Sequence, residues 1–177
     1  MKDELSELLQ QGILVHNAGL VILNSYFKIL FDRLGIAENF TFKSTEDQLN
    51  AVNYLQYTIT GSTKTEESTM TLNKVICGIA PTTTIKNDLA ISESDKSLSE
   101  GLIKAAIGYW PAIGETSVNG FRGNWLVRDG ILKEEEEYWE LTVEKRAYDI
   151  LLNRSPFSFS MIKLPWMSKS LHVNWAY

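Results

Sequence analysis

The sequence predicts an α+β fold, with several amphipathic helices in the N-terminal two-thirds packed with a small antiparallel β-sheet near the C-terminus. Apolar residues recur at three- and four-residue steps through the first part of the chain, the spacing of helices with one buried face. From Ile131 onward they alternate at every second residue, as in half-buried strands. A chain of 177 residues, 44% of them apolar, can bury one core but not two of ordinary size. We therefore expect a single domain over residues 1–177.

The first elements are predicted to be a helical extension, a strand and a helix. Residues 1–12 are typical of an N-terminal helical extension. Residues 13–15 are short, apolar and partly β-branched, which favours a brief strand. An apolar stripe from Leu20 to Leu34 predicts an amphipathic helix, and Gly35 is placed to end it with a left-handed cap.

A second helix is predicted from its start and stop signals. Ser44 and Asp47 form a capping-box variant that can satisfy free amide groups of the first helical turn. Gly61 is predicted to end this helix, and the polar residues 62–70 that follow favour an exposed loop. Residues 72–77 then predict a short helix.

The third long helix starts at a repeated capping signal, Ser92 with Asp95, and runs to about Trp110 before Pro111. Its predicted inward face consists of Leu98, Leu102, Ala105 and Tyr109. A strip of small residues accompanies this face, made of Gly101, Ala105 and Gly108. Because glycine costs about 1 kcal/mol in a helix interior, we expect a closely packed neighbour against the strip.

The last third is predicted to be mainly β-structure. Residues 117–125 have the spacing of a short helix, and residues 139–143 alternate between apolar and polar side chains. Residues 131–132 are the predicted hairpin partner of that strand, with the acidic run 134–137 as the solvated loop. Residues 147–153 predict one further short helix.

The chain end is unusually apolar and alternating. The apolar parity changes between Met161 and Ile162, which predicts a bulge or bend. Pro165 confines this strand to a sheet edge or to a stretch outside the hydrogen-bonded ladder.

Charge and composition argue against several functional classes. The net charge is -5 and no window clusters Lys and Arg, so a nucleic-acid partner is not expected. No run approaches the twenty apolar residues of a membrane-spanning helix, and the acidic N-terminus lacks the pattern of a secretory signal. We therefore expect a cytoplasmic protein. Residues 120–123 carry two glycines but lack the context of a phosphate-binding loop, and no cofactor is expected.

Nucleophilic chemistry has one candidate pairing. Cys77 is the single cysteine and could act as a hydrolase nucleophile with His16 or His172. Its place on a short apolar helix favours an inert buried thiol instead. No carboxylate lies at ligand spacing around either histidine, so we predict no catalytic residue and no metal site.

Aromatic residues are the more informative candidates. The chain holds five Trp, seven Tyr and seven Phe, and Trp and Tyr are enriched at protein interfaces. Each one singly favours a core position, while together they suggest a docking or self-association surface. The candidate interface or fold-determining residues are Trp110, Trp125, Trp139, Lys163, Trp166, His172 and Trp175.

Six blocks of sequence resemble the domain of contractile injection system tape measure proteins, which belong to phage-tail-like particles. The blocks are VHNAGLVIL at 15–23, LQY at 55–57, LNKVICG at 72–78, WP at 110–111 leading to TSVNGFR at 116–122, VEKRAYDILL at 143–152, and MIKLPWM at 161–167 with LHVNW at 171–175. They occur in the same order and extend the family-like region over residues 13–175.

The resemblance implies a non-enzymatic structural part that helps set tube length or joins the tube to its baseplate or cap. Its implied partners are tube, baseplate or cap proteins, or further copies of the chain. Even one unbroken helix of this length would reach only about 265 Å, and the compact pattern argues against a long ruler. We therefore expect either the terminal domain of a longer ruler or a short relative that acts as an end piece. The competing hypothesis is a cytosolic adaptor or chaperone that holds a tail or cargo protein before assembly.

Overall fold

The computed structural model describes residues 2–86 and 88–175, without the side chain of Lys2. It confirms the α+β class. The α-helices are α1 (Lys2–Gln11), α2 (Phe27–Arg33), α3 (Thr45–Thr60), α4 (Thr71–Ile76), α5 (Glu93–Gly108) and α6 (Val118–Phe121). Four 3₁₀ segments cover Ala18–Tyr26, Glu67–Met70, Pro111–Ile113 and Ala147–Arg154, and a π-helical turn covers Arg122–Leu126. The strands are β1 (Ile13–Val15), β2 (Ala37–Glu38), β3 (Thr41–Phe42), β4 (Gly130–Glu134), β5 (Tyr138–Val143), β6 (Met161–Ile162) and β7 (Ser170–Asn174).

The main sheet has five strands in the order β1-β4-β5-β7-β6. The predicted hairpin of β4 and β5 is present, with Leu132 opposite Leu141. The β5 and β7 strands are parallel, so the sheet is mixed where the sequence predicted antiparallel pairing. Parallel strands need a crossover of a dozen or more residues, and the segment between β5 and β7 supplies it. The N-terminal β1 forms one edge of the sheet by pairing with β4.

One face of the sheet packs on the helices. Leu132, Leu141 and Leu171 are buried on this face, while Ile131 and Met161 are exposed on the other. The predicted parity change is confirmed, since Met161 is exposed and Ile162 is buried directly after a bend at residue 160. As Pro165 predicted, β6 is an edge strand.

The helix predicted from Leu20 to Leu34 is divided into a 3₁₀ segment, Ala18–Tyr26, and the α-helix α2. Every residue from Ala18 to Leu23 is buried, so the one-sided stripe applies only to the second part. A Cβ on Gly19 would lie 1.7 Å from the carbonyl oxygen of Trp125, so only glycine permits this contact between the 3₁₀ segment and the π-helical turn.

The capping predictions are confirmed. The hydroxyl oxygens of Ser44 and Ser92 accept hydrogen bonds from the backbone N–H groups of Asp47 and Asp95, at 3.0 and 3.1 Å. Gly61 follows α3 with φ +72°, the left-handed conformation expected of a C-terminal cap. Local hydrogen-bonding chemistry therefore fixes the start of both long helices and the end of α3.

The predicted exposed loop at residues 62–70 is wrong in its last part. Glu67–Met70 forms a 3₁₀ turn, and Met70 is fully buried. The Glu67 carboxylate holds this turn in place by accepting from Lys74 Nζ at 2.9 Å and from the backbone N–H of Ile85 at 2.8 Å. These partners are distant in sequence, so the local polar composition could not reveal them.

The second half of α3 is embedded on every side. All residues from Ala51 to Ile59 are buried, although Asn53, Gln56 and Thr58 are polar. Asn53 Nδ2 donates to the carbonyl of Lys86 at 3.1 Å. The Thr58 hydroxyl donates to Ser99 Oγ at 3.1 Å. Because buried polar groups need partners, these side chains connect α3 to its neighbours.

The predicted inward face of α5 is wrong by one residue. The buried residues of α5 are Ser99, Ile103 and Ala106, whereas Ala105 and Tyr109 are exposed and Leu98 and Leu102 half-buried. A shift of one residue rotates a helix face by about 100°. Ser99 can lie inward because Thr58 satisfies its hydroxyl. The closely packed neighbour expected for the small-residue strip is missing among the described residues, where nothing lies within 4 Å of a Cβ added to Gly101 or Gly108.

No helix within residues 2–86 and 88–175 combines the length and the apolar character needed to cross a membrane.

A strained turn joins β2 to β3. Asn39 and Phe40 both have positive φ, 50° and 64°. Such paired values belong to two-residue hairpin turns that favour Asn followed by Gly. Here Phe occupies the glycine position, is 55% exposed, and lies under the Lys28 Nζ at 5.0 Å from its ring centroid.

We expect Phe40→Gly to be more stable than Phe40→Ala by about 1 kcal/mol, because only alanine keeps a Cβ in the left-handed conformation. Both variants lose the ring and its contact with Lys28, so their difference isolates backbone strain. Urea denaturation of the two variants measures it. Equal midpoints would show that the turn is unstrained.

Candidate functional site

The nucleophile candidate lies in the interior. Cys77 is fully buried, and burial raises the pKa of its thiol far above its usual range, which disfavours the reactive thiolate. His16 lies beside Asp129, with Nδ1 2.7 Å from Oδ1, and His172 stacks on Tyr138 with ring centroids 4.3 Å apart. Among the described residues, no group of three or more His, Cys, Asp and Glu side chains could hold a metal ion.

The tryptophans lie in or against the core. Trp110, Trp125, Trp139 and Trp175 are buried, and Trp166 is half-buried. Trp110 and Trp125 pack with ring centroids 4.5 Å apart, and Trp110 Nε1 donates to the carbonyl of Leu151 at 3.2 Å. The indole rings therefore contribute to packing within the chain.

The turn that contains Lys163 and Trp166 packs against the C-terminal end of α4 and is hydrogen-bonded to it. Trp166 Nε1 donates to the carbonyl of Ile76 at 2.7 Å, and Lys163 Nζ donates to the carbonyl of Met167 within the turn. A Cβ on Gly78, which has φ +73°, would lie 2.2 Å from the Trp166 carbonyl oxygen. Two of the sequence blocks thus meet at a backbone contact that only glycine allows.

Trp175 is held by a buried ion pair that the sequence did not predict. Arg128 and Asp149 are completely buried, and Arg128 Nη1 lies 2.8 and 2.7 Å from the two carboxylate oxygens. Trp175 Nε1 and the backbone N–H of Arg146 both donate to Asp149 Oδ2 at 2.9 Å. The Arg128 guanidinium also lies 5.0 Å from the Trp175 ring centroid. Trp175 is thereby fixed to Arg128 and to the Ala147–Arg154 segment.

The Asp149 carboxylate is stabilised in its charged form. Burial on its own would raise the pKa of this carboxyl group. Hydrogen bonds from Arg128, Trp175 and the Arg146 backbone, together with the Arg128 charge, outweigh burial and lower the pKa below its usual range. The ion pair therefore needs an ionised Asp149.

Three buried amide side chains form a second polar cluster. Asn17, Gln56 and Asn73 come from three different sequence blocks, before the Ala18–Tyr26 segment and on α3 and α4. Asn17 Nδ2 donates to Gln56 Oε1 at 3.2 Å and to Asn73 Oδ1. Asn73 Nδ2 donates to Gln56 Oε1 at 3.0 Å. The cluster joins three elements at one buried point.

Arg122 closes the C-terminal end of α3. Its Nε donates to the carbonyl of Thr58 at 3.0 Å, and Nη2 donates to that of Tyr57 at 3.5 Å. A cation near free helix carbonyls is favoured by the helix dipole. A Cβ on Gly61 would lie 2.7 Å from Arg122 Nη1, so this glycine serves both the cap and the contact.

The sequence did not predict these polar contacts, because catalytic motifs and apolar periodicity say nothing about hydrogen bonds between distant residues. Asn17, Gln56, Asn73, Arg122 and Asp149 all lie inside the quoted blocks. A polar residue within a mostly apolar block was the signal in the sequence that could have indicated a buried hydrogen bond. Which partners they meet could not be deduced from spacing along the chain.

The candidate interaction surface is an apolar groove between α2 and α5, with a volume of about 360 Å³. The α2–α5 groove is defined by Ile29, Arg33, Leu98, Leu102, Ala105 and Tyr109. Ile29 is 53% exposed and Tyr109 67% exposed. The stripe that the sequence predicted to face the core therefore forms one wall of this open groove.

The α2–α5 groove carries little charge. Arg33 is the one charged side chain in its lining, and no carboxylate within residues 2–86 and 88–175 pairs with it. Burial, and then the neighbouring Tyr109, raise the pKa of the Tyr26 phenol, so the Tyr26 phenol stays neutral. An apolar partner with a single negative group fits this surface.

Comparison with known proteins identifies a family. The family described as contractile injection system tape measure protein matches residues 2–175, which includes α1 as well as the six blocks. No curated protein and no solved structure matches the chain.

We expect Asp149→Asn to lower the free energy of unfolding by about 3–5 kcal/mol, because it leaves the buried Arg128 charge without its partner. Asp129→Asn is the matched control, since Asp129 pairs with His16 at the surface and its loss should cost under about 1 kcal/mol. Urea denaturation measures both. Similar small losses in the two variants would contradict a stabilising role for the buried pair.

We also expect stability to fall in acid through Asp149. A carboxyl group whose pKa is lower in the folded chain stabilises fully above its unfolded value, about 3.9, and this contribution disappears as pH falls through the folded value. NMR titration of the native protein should give an Asp149 midpoint below that of an unfolded aspartate. A midpoint at or above the unfolded value would show that burial outweighs the hydrogen bonds.

Proposed function

The chain belongs to the contractile injection system tape measure protein family, and we propose from this premise that it is a non-enzymatic assembly domain of such a particle. In this role it helps set the tube length or joins the tube to its baseplate or cap. The observation that carries the proposal is the family match over nearly all of the printed sequence.

The internal contacts support an assembly role. The residues that distinguish the sequence blocks are used to hold the fold together, as in the amide cluster of Asn17, Gln56 and Asn73 and the contact between Asp149 and Trp175. A particle component must keep one shape while neighbouring subunits bind it. Buried polar networks that connect distant elements suit that requirement, because they favour one arrangement of the elements.

The dimensions favour the joining role. The longest helices of the described residues, α3 and α5, have 16 residues each and span about 24 Å. These two helices pack against one another. A domain of this shape is suited to contacting the end of a tube, while length measurement requires an extended segment.

Deletion of the gene tests the proposal. We expect the deletion strain to give no particles, or particles of altered length, and a plasmid copy to restore them. We also expect the protein to be present in purified particles in a fixed ratio to tube or baseplate proteins. Electron microscopy measures length, and quantitative mass spectrometry measures the ratio.

Two outcomes would contradict the proposal. Normal, fully contractile particles in the deletion strain would show that the domain is not needed for assembly. A protein that binds tail components before assembly but is missing from finished particles would indicate an adaptor or chaperone instead. Both measurements use the complete chain.

A further inference from the structure

We propose that the α2–α5 groove binds one amphipathic helix of another tail component, and that a carboxylate on this helix pairs with Arg33. The inference rests on the proposed function, because it takes the partner to be a tube, baseplate or cap protein. It adds the surface, the secondary structure of the partner segment and the charge that recognises it.

The groove surface is apolar and continuous across two helices. Leu30 forms the buried floor, and Ile29, Leu98, Leu102 and Tyr109 contribute apolar side chains to the walls. Single exposed apolar residues are common on proteins, whereas a contiguous set on one surface indicates a binding site. Burying these side chains against a partner would remove apolar area from water.

The backbone around the groove selects a helix as the occupant. Both walls are largely helical, so most of their N–H and C=O groups already bond within α2 and α5. They cannot supply the ladder that an extended partner strand needs, and buried backbone groups must be paired. A helical partner satisfies its own backbone. From Ser97 to Tyr109 the groove runs along about 18 Å of α5, the length of a helix of three to four turns.

The small-residue strip of α5 allows close approach. Gly101 and Ala105 are exposed, and nothing in the described chain lies within 4 Å of a Cβ at Gly101. Helix axes can approach to about 8 Å where the contacting side chains are small. The strip that lacks a neighbour within this chain is therefore shaped for a helix from another one.

The charge of the groove indicates the charge that a partner helix should carry. Arg33 is the one charge in its lining, and within the described residues it makes no ion pair. A planar guanidinium is suited to a carboxylate. In a symmetric dimer both partners would contribute identical linings, and neither lining contains a carboxylate. Two copies of the groove therefore do not complement each other, and we take the occupant to be an acidic amphipathic helix of a different protein.

Photocrosslinking within assembled particles tests this assignment. A photoreactive phenylalanine analogue replaces Tyr109, and the same analogue at Lys104 is the matched control, because Lys104 is exposed on α5 but outside the groove lining. We expect position 109 to crosslink to one helical segment of a tube, baseplate or cap protein. Position 104 should not crosslink to that segment. Peptide mass spectrometry identifies the crosslinked residues.

Charge reversal tests the role of Arg33. We expect Arg33→Glu to lower the yield of the position-109 crosslink by about ten-fold through like-charge repulsion, while Lys104→Glu leaves it unchanged. Replacing the crosslinked partner's carboxylate residue by Lys should restore the yield in the Arg33→Glu background. Circular dichroism and melting temperature of the variants confirm that the fold is kept.

Several results would overturn the inference. These are no crosslink from position 109, a crosslink to a second copy of this chain, or equal effects of Arg33→Glu and Lys104→Glu. If the protein is nevertheless present in particles and needed for them, the proposed function stands and only the groove assignment fails. If the deletion strain makes normal particles, the proposed function itself fails.

Discussion

The burial of the second half of α3 on all sides is the constraint on which the rest of the structure depends. A helix with polar residues in this position is stable only if every polar side chain finds a partner, since an unpaired buried group costs about 1–3 kcal/mol. Gln56 accepts hydrogen bonds from Asn17 and Asn73. Thr58 is hydrogen-bonded to Ser99, and the Tyr54 hydroxyl donates to Asp95 at 3.1 Å. Burial, with the nearby Asp95 charge, raises the Tyr54 pKa to about 12, so this phenol stays a donor. These partners lie on α4, on α5 and just before the Ala18–Tyr26 segment, and the polar groups of one helix thereby connect it to three neighbouring parts of the chain.

A second buried contact fixes the position of β7 and explains why the sequence near the end of the chain is so apolar. The β7 strand lies between β5 and β6, so the last described residues occupy an interior position of the sheet and not its margin. Parallel pairing with β5 brings Trp175 to Asp149, whose charge is matched by Arg128. A buried ion pair does little for net stability compared with apolar residues of the same shape. Here it determines where Trp175 lies after β7.

The exposed surface of α5 is informative because it differs from the face that the sequence predicted. On α5 a serine lies inward and a tyrosine lies outward, the opposite of what their polarity suggests. Ser99 can be buried because its hydroxyl is hydrogen-bonded to Thr58. With Ser99 facing the core, the predicted stripe of Leu98, Leu102, Ala105 and Tyr109 faces the groove toward α2. The α2–α5 groove is therefore a consequence of how α3 is satisfied.

The sequence by itself determined the fold class, the helix ends and the strand alternation. These features depend on local chemistry: a Ser oxygen three residues from an amide, a Gly at positive φ, or a period of two. Only the tertiary structure decided that β5 and β7 are parallel, that Met70 and Asp149 are buried, and that α5 turns its apolar stripe outward. Each of these depends on a partner far away in the chain, such as Ile85 for the Glu67 turn or Arg128 for Asp149. A periodic pattern shows that one face of an element is apolar, but the polar contacts available in three dimensions determine which face is buried.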